Sequence, residues 1–154
     1  MIDQGADVTV NNNTAIAYAC NNNNLSMAKL LINHGDDVKA DDNDAIRSAC
    51  KVGNLSMIEL LIANGADIHA QDDYAIRLAA EHGHLQTVKL LIDSGDNIHA
   101  QDNYALAKSG NNRHLKVVKL LIKHGVKAED YIIRNNYSFV RLAKQRTPAE
   151  CDHL

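Results

Sequence analysis

The sequence predicts an all-α solenoid of stacked helix-turn-helix repeats joined by short finger loops. Three observations predict it. Gly5, Gly35, Gly65, Gly95 and Gly125 recur every 30 residues. The triplets Leu30-Leu31-Ile32, Leu60-Leu61-Ile62, Leu90-Leu91-Ile92 and Leu120-Leu121-Ile122 keep the same step. So do Leu25, Leu55, Leu85 and Leu115, and Ala15, Ala45, Ala75 and Ala105. A fixed period of this size marks one supersecondary unit stacked on copies of itself.

Residues 41–70 show the unit in order. Asp41-Asp42-Asn43-Asp44 is a polar turn ending in helix-capping residue types. Ile46, Ala49 and Cys50 then fall on one face of a first helix. Gly53 suits the left-handed conformation that ends a helix. Asn54 is placed to cap a second helix, whose apolar face is Leu55, Ile58, Leu61 and Ile62. Gly65 closes that helix, and Ala66-Asp67-Ile68-His69-Ala70 is expected to run extended into the next turn. Neither helix buries its apolar face alone, so stacking must do it.

Composition sets the outer bounds. The chain has 154 residues, 45% of them hydrophobic, with no Trp and one Phe. That suits thin layers of small aliphatic side chains. No apolar run approaches the roughly 20 residues that span a bilayer. Met1-Ile2-Asp3-Gln4-Gly5 carries no secretory pattern. Cys20 and Cys50 hold the same place in successive repeats. Stacked helices lie about 8–10 Å apart, beyond the roughly 7 Å Cα separation a disulfide tolerates. Both are read as small buried residues in a reducing compartment, and Cys151 adds no framework.

Gly83-His84-Leu85, Val88-Lys89-Leu90-Leu91-Ile92 and Gly65-Ala66-Asp67-Ile68-His69-Ala70 resemble ankyrin repeats. The likeness covers about residues 1–125 and implies an ankyrin-type solenoid. One departure is clear. The Thr-Pro-Leu-His start of the usual repeat of about 33 residues is replaced by Asp44-Ala45-Ile46-Arg47, Tyr74-Ala75-Ile76-Arg77 and Tyr104-Ala105-Leu106-Ala107. The shortening falls at the finger, so loops are expected there more than a sheet. This short variant resembles the ankyrin arrays of giant amoeba-infecting viruses, and the asparagine runs 11–13 and 21–24 fit such a source. That resemblance implies an intracellular protein in the cytoplasm of a host cell.

The repeat register divides the chain. A partial N-terminal repeat over 1–10 precedes repeats 11–40, 41–70, 71–100 and 101–125. A divergent capping repeat is expected over 126–147, with helices from Glu129 and from Tyr137, and a tail over 148–154. Met1 aligns with Leu31, so the first layer is expected to lack its first helix. The fourth repeat carries Arg113 at the glycine turn and Gly110 inside its first helix, which should make it the softest regular layer.

The chemistry points away from catalysis. There is no nucleophile elbow, phosphate loop or dinucleotide fingerprint. The many acids follow the repeat, whereas an active site would break it. Gly83 separates His82 from His84, and a helix-borne zinc pair needs both rings on one face. His84 and His114 are expected to bond within their turns, and His69 and His99 face a connecting loop. No enzyme, cofactor or metal is therefore assigned. The net charge of −3 argues against a general nucleic-acid surface. Lys116, Lys119, Lys123 and Lys127 lack interleaved aromatics and read as a solvated convex face.

A partner protein fits better. In ankyrin proteins, fingers and first-helix faces form the concave binding surface. The resemblance places Asp44, Arg47, Lys51, Asp73, Tyr74, Arg77, Glu81, Tyr104 and Lys108 there. Tyr and Arg are enriched at binding hot spots. Asp41, Asp42, Asp44, Asp72, Asp73 and Asp102 at the loop tips would steer a basic segment. The rival reading is a structural fragment of a larger array that self-associates through its N-terminal layer.

Overall fold

The computed structural model describes residues 14–127. The expected partial repeat 1–10, the helices from Glu129 and Tyr137, the tail and Cys151 lie outside them. The described residues form eight helices and no strand: α1 (Thr14–Asn21), α2 (Leu25–Asn33), α3 (Ala40–Val52), α4 (Leu55–Ala63), α5 (Ala70–Glu81), α6 (Leu85–Asp93), α7 (Ala100–Asn111) and α8 (Leu115–Lys123). The odd helices stack in one row and the even helices in another. The odd row is the more closely packed. Small side chains explain this: Ala45, Ala49, Cys50, Ala75, Ala79, Ala80, Ala105 and Gly110 are all buried. A row packed closer on one side bends the stack toward that side.

The even helices supply the larger core residues. Ile58, Leu61, Val88, Leu91, Val118 and Leu121 are fully buried and interlock with Ile46, Ile76 and Leu106. Burying one such side chain stabilises the fold by about 1.5–3 kcal/mol. Cys20 and Cys50 are free and buried in this core. Burial, then Asp44 and Asp36, push the Cys20 thiol up to about 12, so it stays protonated and inert.

The turns follow the sequence closely. Gly53 and Gly83 sit at φ +81° and +78°. Asn23 and Arg113 hold the same left-handed turn at φ 55° and 61°. Asn24 and Asn54 cap α2 and α4, accepting from the backbone N–H of Met27 at 3.0 Å and of Met57 at 3.2 Å. His84 and His114 behave otherwise than expected. Each reaches the preceding repeat instead of its own turn. His84 Nε2 donates to Lys51 O at 2.9 Å, and His114 Nε2 donates to Glu81 O at 3.0 Å. The ring of His84 lies where a Cβ on residue 53 would be. Glycine is thus required there twice, by its φ and by the ring above it.

The fingers are the non-helical first residues of α3, α5 and α7 and pair into no sheet, as the shortened repeat suggests, but their backbone is of an unforeseen kind. Asp41-Asp42-Asn43, Gln71-Asp72-Asp73 and Gln101-Asp102-Asn103 each hold three successive left-handed residues. Each non-glycine residue there costs about 1–2 kcal/mol, least for Asn and Asp. Hydrogen bonds offset the cost. Asn43 N donates to Lys39 O, Asp73 N to His69 O and Asn103 N to His99 O, each at 3.1 Å. The segment 66–70 is not extended: Ile68 and His69 form a turn, and His69 N donates to Asp67 Oδ1 at 2.9 Å. Nor does Asn43 cap its own helix. Its Oδ1 accepts from Asp67 N of the next loop at 2.7 Å.

Candidate functional site

The odd helices and fingers build one continuous surface. At its centre is a row of alternating cations and rings. The Arg77 guanidinium lies 4.7 Å from the Tyr74 ring centre and 5.4 Å from that of Tyr104. Arg47 stands 5.9 Å from Tyr74, and Lys108 5.2 Å from Tyr104. All are within cation–π range. The 30-residue step puts each ring at the start of a first helix. The cation three or four positions later then falls on the same helix face.

Further polar contacts hold the row. Arg47 Nη2 donates to Asp44 Oδ1 at 2.9 Å, and Arg47 Nη1 reaches Gln71 Oε1 on the next finger. Arg77 Nη2 donates to Gln71 O at 2.7 Å. Lys108 Nζ lies 3.3 Å from Glu81 Oε1. The Tyr104 hydroxyl, then Glu81, raise the Lys108 ammonium above its usual range. The fingertips are laced as well: Gln71 Nε2 donates to Asp42 Oδ2 at 3.2 Å, and Gln101 Nε2 to Asp72 Oδ2 at 2.7 Å. Sequence reasoning passed over these glutamines; their repeat at the finger position was the available signal.

Eight of the nine residues assigned from sequence sit along this surface. Asp44, Arg47, Lys51 and Tyr74, with Asn21, Ser48 and Leu78, line a groove of about 320 Å³. Arg77, Tyr104, Lys108 and Glu81 continue it along the stack. Tyr74 and Tyr104 are half-buried. They form a packed platform and are not free-standing. The ninth residue, Asp73, is placed differently. It is buried beneath its finger, where Oδ1 meets His69 Nδ1 at 2.7 Å and accepts from Asn97 N at 3.2 Å.

Under that finger Asp73 faces Asp96. The two carboxyls divide their charge unequally. Burial, then the neighbouring Asp73 carboxyl, push Asp96 up to about 9. Burial would raise Asp73 too, but hydrogen bonds from Asp96, His69 and the Asn97 N–H hold it below its ordinary value. At neutral pH one proton therefore sits on Asp96, facing an ionised Asp73. The reading of His82 and His84 as structural fits their bonds. His82 Nδ1 donates to Leu78 O at 3.0 Å, and the two rings stack 6.1 Å apart.

Arg47 pairs with Asp44 and Lys108 with Glu81, while Arg77 meets the Gln71 carbonyl and the two tyrosine rings. The family model described as ankyrin repeats (3 copies) matches residues 1–72 and again 73–148. No curated protein matches the sequence. The stacked helix pairs, the glycine turns and a family match over almost the whole length agree that the chain belongs to the ankyrin-repeat family.

Proposed function

We propose that this chain is a non-catalytic recognition module that holds a partner protein on its finger and first-helix surface. Ankyrin repeats are in general protein–protein interaction modules. The observation that carries the site is the pre-ordered row Arg47–Tyr74–Arg77–Tyr104–Lys108. Side chains already fixed by each other lose little rotamer freedom on binding. Tyr and Arg supply the contact area, while the exposed Asp41, Asp42, Asp72 and Asp102 steer a basic segment toward them. Asp73 supports the finger from beneath and makes no direct contact in this reading.

The short repeat supports a further step, a host-interaction adaptor of viral type working in the host cytoplasm. Among the described residues no helix is long and apolar enough to cross a membrane. The test is affinity capture from host-cell lysate. Wild type is compared with a folded Tyr74→Ala, Arg77→Glu, Tyr104→Ala variant. A partner held by wild type and lost by the variant supports the surface. Equal capture removes it. No partner, together with a mass that grows with concentration, favours the self-associating fragment instead.

A further inference from the structure

Three metal-ligating side chains converge at one junction of the stack and at no other among the described residues. They are His69, Asp73 and Asp96. His69 Nδ1 lies 2.7 Å from Asp73 Oδ1 and 3.7 Å from Asp96 Oδ1. One ligand atom from each lies within 4.8 Å of the others. One repeat earlier the same positions read Lys39, Asn43 and Ala66; one repeat later they read His99, Asn103 and Val126. Two repeats earlier they read Thr9, Asn13 and Asp36, so only this junction combines a histidine with two acids.

A second observation points into the cluster. The Asp96 side chain is 0% exposed and turns its carboxyl toward the His69 ring. Its Oδ1 accepts from Asn97 N at 3.2 Å, while its Oδ2 is buried with no hydrogen-bond partner. An orphaned buried carboxylate oxygen is costly. Without an ion, the proton on Asp96 supplies positive charge that a bound cation would provide instead. His69 is 53% exposed, so the cluster opens to water on one side.

We propose that His69, Asp73 and Asp96 bind one divalent ion of the zinc class. One imidazole nitrogen and two carboxylates give three protein ligands, with water completing a tetrahedron. The nitrogen ligand favours zinc or cobalt over the oxygen-preferring calcium and magnesium. The ion would tie the start of α5's finger to the loop between α6 and α7, beneath the recognition row and independent of it.

The test uses the full chain stripped with chelator, then titrated with Zn²⁺ by calorimetry and with Co²⁺ by absorption. Two variants take residues the repeat already accommodates, His69→Lys and Asp96→Ala; His99→Lys is the control. The expected result is one tight Zn²⁺ per chain, a tetrahedral Co²⁺ spectrum and a raised Tm on Zn²⁺ addition. Each of the two variants should weaken binding by more than the roughly 10–100-fold that loss of an outer partner costs, and the control should not. Absence of a bound ion in wild type would overturn the proposal. So would metal uptake unchanged in both variants, or equal affinity for Ca²⁺.

Discussion

Single residues carry the least regular features of the molecule. Asp96 is an acid buried where the preceding repeat has Ala66. Its folded pKa of about 9 stands far above its ordinary 3.8. The folded chain therefore keeps a proton that the unfolded chain loses as pH rises above about 4. Stability should fall with rising pH, by at most about 1.4 kcal/mol per unit, and level off only above about 9. Asp73 has the opposite sign, so its contribution is lost only in acid, as pH falls through its depressed value. Asp36, raised to about 6, adds a slope of the same sign as Asp96 over a narrower window that closes near pH 6. In chelator, Asp96→Ala should be more stable than wild type. Its advantage should grow by about 1 kcal/mol or more between about pH 5 and about pH 8. Denaturant unfolding of both proteins at the two pH values checks this, and parallel pH profiles would refute it. Gly53 gives a second case. Gly53→Ala should cost about 1–2 kcal/mol for the left-handed backbone, and about 1 more for the displaced His84 bond. In a His84→Ala background the second part should vanish, which a double-mutant cycle measures.

At the scale of the element, the fourth repeat differs from its neighbours. Arg113 holds a left-handed φ of 61° where Gly53 and Gly83 sit in their repeats, and Gly110 is buried within α7. Both weaken the α7–α8 layer. Hydrogen exchange should show α7 and α8 opening more readily than α3 to α6. Arg113→Gly should stabilise the chain by about 1 kcal/mol. Better protection of α7 and α8 than of α5 and α6 would contradict this. Helices and turns were legible in the sequence because their signals are local: a period, a capping asparagine, a glycine. The fingers were legible only as loops. Three successive left-handed residues such as Gln71-Asp72-Asp73 follow no single-residue preference; they come from a shortened connection closed by bonds to the next repeat. The exposed row was half-legible. Tyr74, Arg77, Tyr104 and Lys108 share a face by spacing, but their mutual stacking needed the distance between layers. By sequence Asp73 is a fingertip acid, and Asp96 carries no local signal. Their meeting depends on a loop folded back from the end of α6.

At the scale of the whole molecule, stability is a sum over neighbouring layers, and so is the binding surface. The same 30-residue step that stacks Ile46, Ile76 and Leu106 in the core stacks Arg47, Tyr74, Arg77 and Tyr104 outside it. Recognition should therefore localise to the odd-helix side. The most direct measurement places a photo-crosslinking amino acid at Lys51 on that side, or at Lys89 on α6, both exposed. Each protein is then irradiated with the captured partner bound. The account predicts a crosslinked partner from position 51 and none from position 89. A crosslink from position 89 with none from position 51 would contradict it.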